Sequence, residues 1–306
     1  GTILIEQKKL QEAEQPLRKT IELKPDFFQA HFNLGAVLKD LGKLQDAEIF
    51  TRKAIELNSD FAEAHNNLGL ILKDLGNLKE AELSTRKAIE LNPDFLSAYS
   101  NLGLILIDIG NLREAELVTR KAIQINPDYA NAHLNLGTIL SDLGNLQEAE
   151  LSTRKAISLN PNIAIAHANL GTILIDLGKL QDAEIATLKS IELNPNLAES
   201  YFNMGIILKE LGKLKEAEIS IRKSIELDPG FAGAHNNLGI ILGKLGKIGE
   251  SISSLNHALK IQPNDMKIYD NISFILRNYI WFTKNSAYKL EKSIEELIRL
   301  EKKELK

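Results

Sequence analysis

The sequence has no cysteine, one tryptophan, two methionines and only eight prolines among 306 residues. Without cysteine there is no disulfide, no thiolate nucleophile and no cysteine metal site. No apolar run reaches the roughly 20 residues that a membrane-crossing helix needs, so no membrane span is expected. A formal charge of −4 offers no concentrated basic face, which argues against nucleic acid as a partner. What remains, 44% hydrophobic and 25% charged residues, suits a soluble folded chain. No signal peptide is visible at Gly1, and the lack of cysteine fits a reducing, cytoplasmic setting.

The few residues that break regular structure fall on a grid of 34. One glycine column runs through Gly35, Gly69, Gly103, Gly137, Gly171, Gly205 and Gly239, and a second through Gly42, Gly76, Gly110, Gly144, Gly178, Gly212 and Gly246. Pro25, Pro93, Pro127, Pro161, Pro195, Pro229 and Pro263 keep the same period, with Ser59 standing in once. Periodic punctuation of this kind is what stacked copies of one supersecondary unit require.

Each unit reads as two helices. Leu34, Leu38 and Leu41 form one stripe of a helix expected over 30–41, and Gly42 ends it, since glycine accepts the left-handed conformation of a helix stop. Residues 44–57 give the second helix, with Leu44, Ala47, Thr51, Ala54 and Ile55 inward. Turns such as Asn92-Pro93-Asp94 separate the units, with Asp expected to cap the next helix. A glycine inside the first helix costs about 1 kcal/mol against alanine, so its recurrence implies close helix contact.

With His31-Phe32-Asn33-Leu34-Gly35, then Leu38, Gly42, Ala47 and Ala54 repeating over 28–265, the chain resembles the tetratricopeptide repeat family. His or Tyr replaces the family's usual tryptophan, and leucine its mid-helix tyrosine. The resemblance implies an all-α fold, a right-handed superhelical solenoid of helix-turn-helix units whose first helices line a concave groove. Such grooves hold peptides or partner proteins. The expected division is a partial repeat over 1–27, seven full repeats over 28–265, and a degenerate repeat with a capping helix over 266–306. Pro16 should kink the helix that contains it. Ser286 to Lys306 reads as an amphipathic, solvating cap, with a self-association patch at Tyr279, Ile280, Trp281 and Phe282 as the alternative.

The candidate site is a column of asparagines: Asn33, Asn67, Asn101, Asn135, Asn169, Asn203 and Asn237. Asparagine is a mediocre helix former, and this one lies about 100° from the buried leucine stripe. Its amide can donate to and accept from a peptide backbone, and the column resembles the repeat arm of O-GlcNAc transferase, where an asparagine ladder grips extended substrates. The bland alternative is duplication, with each amide bonding locally between helices. An acidic column at Asp40, Asp74, Asp108, Asp142 and Asp176 either forms a rail for basic ligands or caps the following helices. Phe32, Asn66, Ser100 and Ala36, Leu70, Leu104 occupy the rows where a terminal carboxylate would need lysines, which disfavours a carboxylate clamp.

The histidines at His31, His65, His133, His167 and His235 recur too far apart to share a metal, and core packing is the default. No phosphate loop and no nucleophile-base motif is present, so neither catalysis nor a cofactor is expected. The expected function is a non-catalytic scaffold for a protein or peptide segment. The alternative is the substrate-recruiting arm of a larger glycosyltransferase-like enzyme with its catalytic domain outside this chain. The surplus glycines Gly230, Gly233, Gly243 and Gly249 predict that the seventh repeat opens more readily than its neighbours.

Overall fold

A computed structural model describes residues 10–282, with side chains through residue 277. The expected cap over Ser286–Lys306 and the side chains of Tyr279 to Phe282 lie outside the described residues. Sixteen helices and no strand occur among the described residues, in two compact units.

The first unit, Gly1–Pro161, holds α1 (Leu10–Leu23), α2 (Phe28–Asp40), α3 (Leu44–Leu57), α4 (Ala62–Asp74), α5 (Leu78–Leu91), α6 (Leu96–Ile109), α7 (Leu112–Ile125), α8 (Ala130–Asp142) and α9 (Leu146–Leu159). Within each repeat the first helix packs on the second, and the second packs on the first helix of the next repeat. First helices also touch in succession, α2 with α4, α4 with α6 and α6 with α8. The stripe Leu34, Leu38, Leu72, Leu106 and Leu140 is fully buried, together with Ala47, Ala81, Ala115 and Ala149 from the second helices. Helix α1 runs through Pro16 from Leu10 to Leu23.

The second unit, Asn162–Lys306, repeats the arrangement with α10 (Ala164–Asp176), α11 (Leu180–Leu193), α12 (Ala198–Glu210), α13 (Leu214–Leu227), α14 (Ala232–Lys244), α15 (Ile248–Ile261) and α16 (Met266–Phe282). Ile268, Ile272, Ile275 and Leu276 of α16 pack on Leu255 and Ala258.

Two glycine positions do different work. Gly42 has φ of +75°, and the Lys43 N–H reaches the Leu38 carbonyl while the Gly42 N–H reaches that of Lys39. These are the paired bonds of a Schellman stop, available here because glycine carries no Cβ. Gly69 instead faces the second helix: a Cβ there would collide with Thr85 Oγ1 and stand 3.2 Å from the Ala81 carbonyl. The close contact expected from the glycine column is therefore present, with a threonine or aliphatic side chain filling the space in each repeat.

The expected aspartate caps are not formed. Helix α6 begins at Leu96 with Phe95 ahead of it, which places Asp94 one residue too early to reach the orphan N–H groups. Instead the Asn92 side chain accepts the Asp94 N–H at 3.2 Å, an Asx turn, as Asn58 does for Asp60 and Asn126 for Asp128.

Candidate functional site

On α4, α6 and α8 the asparagines sit where the helical rotation places them, one residue from the buried leucines. Their amide NH2 groups are already engaged. Asn67 Nδ2 donates to Thr51 Oγ1 at 3.3 Å, Asn101 to Asn66 Oδ1 at 2.9 Å, and Asn135 to both the carbonyl and the hydroxyl of Ser100 at 3.2 Å. In the second unit Asn203 donates to the Ala168 carbonyl and Thr172 Oγ1 at 3.0 Å, while Asn237 turns to the Gly233 carbonyl of its own helix. Asn169 is half-buried on α10. The same period continues to Asn271 on α16, which donates to Asn236 Oδ1 at 2.9 Å, an eighth member missed because its glycine companion lapses to Ser273.

Four of these bonds, from Asn101, Asn135, Asn203 and Asn271, reach back 35 residues to the first helix of the preceding repeat. They tie consecutive first helices together and hold the carboxamides at a fixed orientation. Asn33 is half-buried, on the first of the described pairs.

Beside this column lies a partly exposed row, Ala36, Leu70, Leu104 and Thr138 in the first unit and Thr172, Ile206 and Ile240 in the second. One turn further on, Asp40, Asp74, Asp108, Asp142 and Asp176 are all exposed. None caps a following helix. The residues ahead of the second helices are Lys43, Asn77, Asn111, Asn145 and Lys179, and of these only Asn111 accepts a helix N–H with its side chain. Two of the acids pair instead with lysines: Asp40 with Lys39 at 3.4 Å and Asp108 with Lys73 at 3.2 Å. Partial desolvation raises the Asp142 carboxyl above the ordinary aspartate value although much of the residue stays exposed.

The histidines are structural. The Nε2 atoms of His31, His65, His133 and His235 lie 2.8–3.1 Å from the carbonyls of Pro25, Ser59, Pro127 and Pro229, six residues earlier. Tyr269 does the same to the Pro263 carbonyl at 3.1 Å. Each aromatic thereby fixes the turn that leads into its own helix. No group of three or more metal-ligating side chains converges among the described residues. No helix among them is long and apolar enough to cross a membrane.

Two clefts open on the second-helix side at one repeat position. One of about 340 Å³ in the first unit is lined by Arg120, His133, Glu148 and Ser152. One of about 470 Å³ in the second is lined by Arg222, His235, Glu250, Ser254 and His257. At the equivalent place in the first repeat Phe50 stacks on His31 with centroids 6.0 Å apart, so the clefts follow from serine replacing a large side chain.

Models of the tetratricopeptide repeat match residues 28–61, 62–95, 96–129, 130–163, 153–185, 186–219 and 232–265. Among solved structures, the Cut9–Hcn1 hetero-tetramer of the APC/C is similar over 85% of the chain at 19% identity, with a TM-score of 0.72. The match spans 51% of that protein's length. A tetratricopeptide repeat protein from Parabacteroides merdae matches 79% of this chain and 95% of its own at 21% identity and a TM-score of 0.65. Pseudomonas aeruginosa PilF matches 68% of this chain and 95% of its own at 23% identity and a TM-score of 0.58. At these identities the likeness is one of fold. No curated protein matches the sequence.

Proposed function

The chain belongs to the tetratricopeptide repeat family, and from that membership we propose that it is a non-catalytic scaffold holding an extended or helical segment of a partner protein. The observation that carries the reading is the face built by the first helices. On it a partly exposed aliphatic row, Leu70 and Leu104 above all, runs beside oriented carboxamides and below exposed aspartates. At Asn67 and Asn101 one of the two amide N–H donors is used toward a neighbouring helix, so a ligand meets this column through carbonyl oxygens and a remaining N–H, a pairing that suits a peptide backbone, while the aspartates favour basic side chains.

Each hydrogen bond nets about 0.5–1.5 kcal/mol against an ordering cost of about 1–2 kcal/mol per peptide residue, so apolar contact with Leu70 and Leu104 must supply the surplus. An array of unstructured peptides of graded charge and hydrophobicity tests the reading. Peptides that combine aliphatic and basic residues should be retained, and Leu70→Glu with Leu104→Glu should abolish retention with helicity unchanged. Retention that ignores both substitutions would remove the face from the mechanism.

The alternative, a substrate-recruiting arm of a larger glycosyltransferase-like enzyme, draws on the same asparagine column and predicts a catalytic domain encoded beside this segment. The proposal places the scaffold in the cytoplasm, where a cysteine-free module needs no oxidising environment.

A further inference from the structure

The most regular surface feature plays no part in the first-helix face. Ile49, Leu83, Leu117 and Leu151, on α3, α5, α7 and α9 of the first unit, point outward with 63–69% of their surface exposed, and Ile185 and Ile219 of the second unit are exposed to 68% and 70% at the same repeat position. Single exposed aliphatics are ordinary, but the same position exposed in consecutive repeats is not. Copying alone does not account for it. The position interchanges isoleucine and leucine yet stays aliphatic, while the next residue along the helix ranges over Phe50, Ser84, Val118 and Ser152.

The flanks are as regular. Three residues before each aliphatic stands an acid, at Asp46, Glu80, Glu114 and Glu148. Three residues after it stands an arginine, at Arg52, Arg86, Arg120 and Arg154. At 1.5 Å per residue the acid lies about 4.5 Å toward the helix N-terminus and the arginine the same distance toward the C-terminus. Three of the guanidiniums are held in place from both sides: Arg120 bonds Glu116 at 2.8 Å and Glu148 of the next repeat at 2.6 Å, and Arg52 and Arg86 are held likewise by Glu48 with Glu80 and by Glu82 with Glu114, while Arg154 bonds Glu150 of its own helix. Each repeat thus presents acid, aliphatic and arginine in one order along the helix.

We infer that this outer face pairs with a second copy of the chain, second helix against second helix in antiparallel directions. The argument is complementarity. A row of aliphatics at the repeat's own spacing is matched along its length by a surface of equal spacing, which another copy supplies. With facing helices antiparallel, every acid meets an arginine and every aliphatic meets its own equivalent; with facing helices parallel, acid would face acid. The outward side chains, with the aliphatic stems of the arginines, present an area on the order of the 800 Å² per partner of a standard interface. In the second unit Ile185 and Ile219 keep the aliphatic, but Leu188 stands where an arginine would and Ser253 where the next aliphatic would, so the unbroken run of four sets, and with it the proposed site of pairing, lies in the first unit.

The absence of cysteine makes the test direct. Single substitutions Leu83→Cys, Leu117→Cys and Leu151→Cys in the full chain should each form a homodisulfide dimer under mild oxidation, at least tenfold faster than Asp128→Cys on an exposed turn. Sedimentation of the unmodified chain should give twice the chain mass, and Leu83→Glu with Leu117→Glu should return it to one chain mass at unchanged helicity. A chain that sediments as a monomer at high concentration overturns the proposal. So does a dimer that survives the double substitution, which would place self-association on the first-helix face or the C-terminal segment. Cross-linking at only one of the three positions would overturn the antiparallel arrangement.

Discussion

Asn135 on α8 clamps Ser100 on α6, its Nδ2 shared between the Ser100 carbonyl and hydroxyl at 3.2 Å each. Removing a buried donor leaves the acceptors dry, which costs about 1–3 kcal/mol. Asn135→Ala should therefore lower the thermal midpoint clearly. Asn33→Ala should change the stability by under about 0.5 kcal/mol, because no first helix precedes α2 among the described residues. Equal losses at both positions would mean that the bond to the preceding helix is not what the amide contributes.

Gly69→Ala tests the closeness of α4 and α5. The new methyl would strike Thr85 Oγ1 and press on the Ala81 carbonyl, so overpacking of about 1–3 kcal/mol should exceed the helix-propensity gain of about 1 kcal/mol. Adding Thr85→Ala should recover part of the loss, since it removes the nearer obstacle. Denaturant titration of the two single variants and the double variant reads the coupling.

The His235 ring should make the second unit sensitive to mild acid. It is packed 4.3 Å from the His257 ring, and burial, then the neighbouring His257, hold its pKa below the ordinary 6.5, against the opposing pull of the Pro229 carbonyl and Asp228. Arg222, Glu226 and Glu250 line the same cleft. Above about pH 6.5 both folded and unfolded forms are neutral at this ring. As the pH falls below that value the unfolded chain takes up a proton that the folded site resists, so stability drops with pH until the folded ring also titrates. His235→Tyr should flatten this dependence and keep the turn contact, as Tyr269 does with Pro263. Thermal melts at pH 7.5 and 5.5 compare the two proteins.

Hydrogen exchange should find α14 and α15 less protected than α4 and α5, given Gly233, Gly243 and Gly249 within these helices. Gly243→Ala should not mend this. A Cβ at Gly243 would lie 2.5 Å from Ile275 Cδ1, so α16 needs the gap. Stabilisation by Gly243→Ala would show that α16 gives way instead.

The helices were legible because glycine and proline mark their ends: the second helix over 44–57 is observed at Leu44–Leu57. The first begins earlier than the stripe suggested, at Phe28, because Phe27 and not the turn aspartate precedes it. Sequence spacing also placed the asparagines on a face of their own. It could not show where each amide points, since a bond to residue i−35 depends on how two first helices lie against each other. The outer aliphatic row was legible in principle, being one residue type at a fixed period between acid and arginine. It drew no attention because the helix already had a complete buried stripe.

The bond that spans 35 residues is one longer than the repeat. Where it forms, at Asn101, Asn135, Asn203 and Asn271, a duplicated copy arrives with the donor for the copy before it and the acceptor for the copy after it. Growth by duplication of such a repeat needs no fresh solution at the seam, and the array can change length by whole repeats while that junction is reproduced.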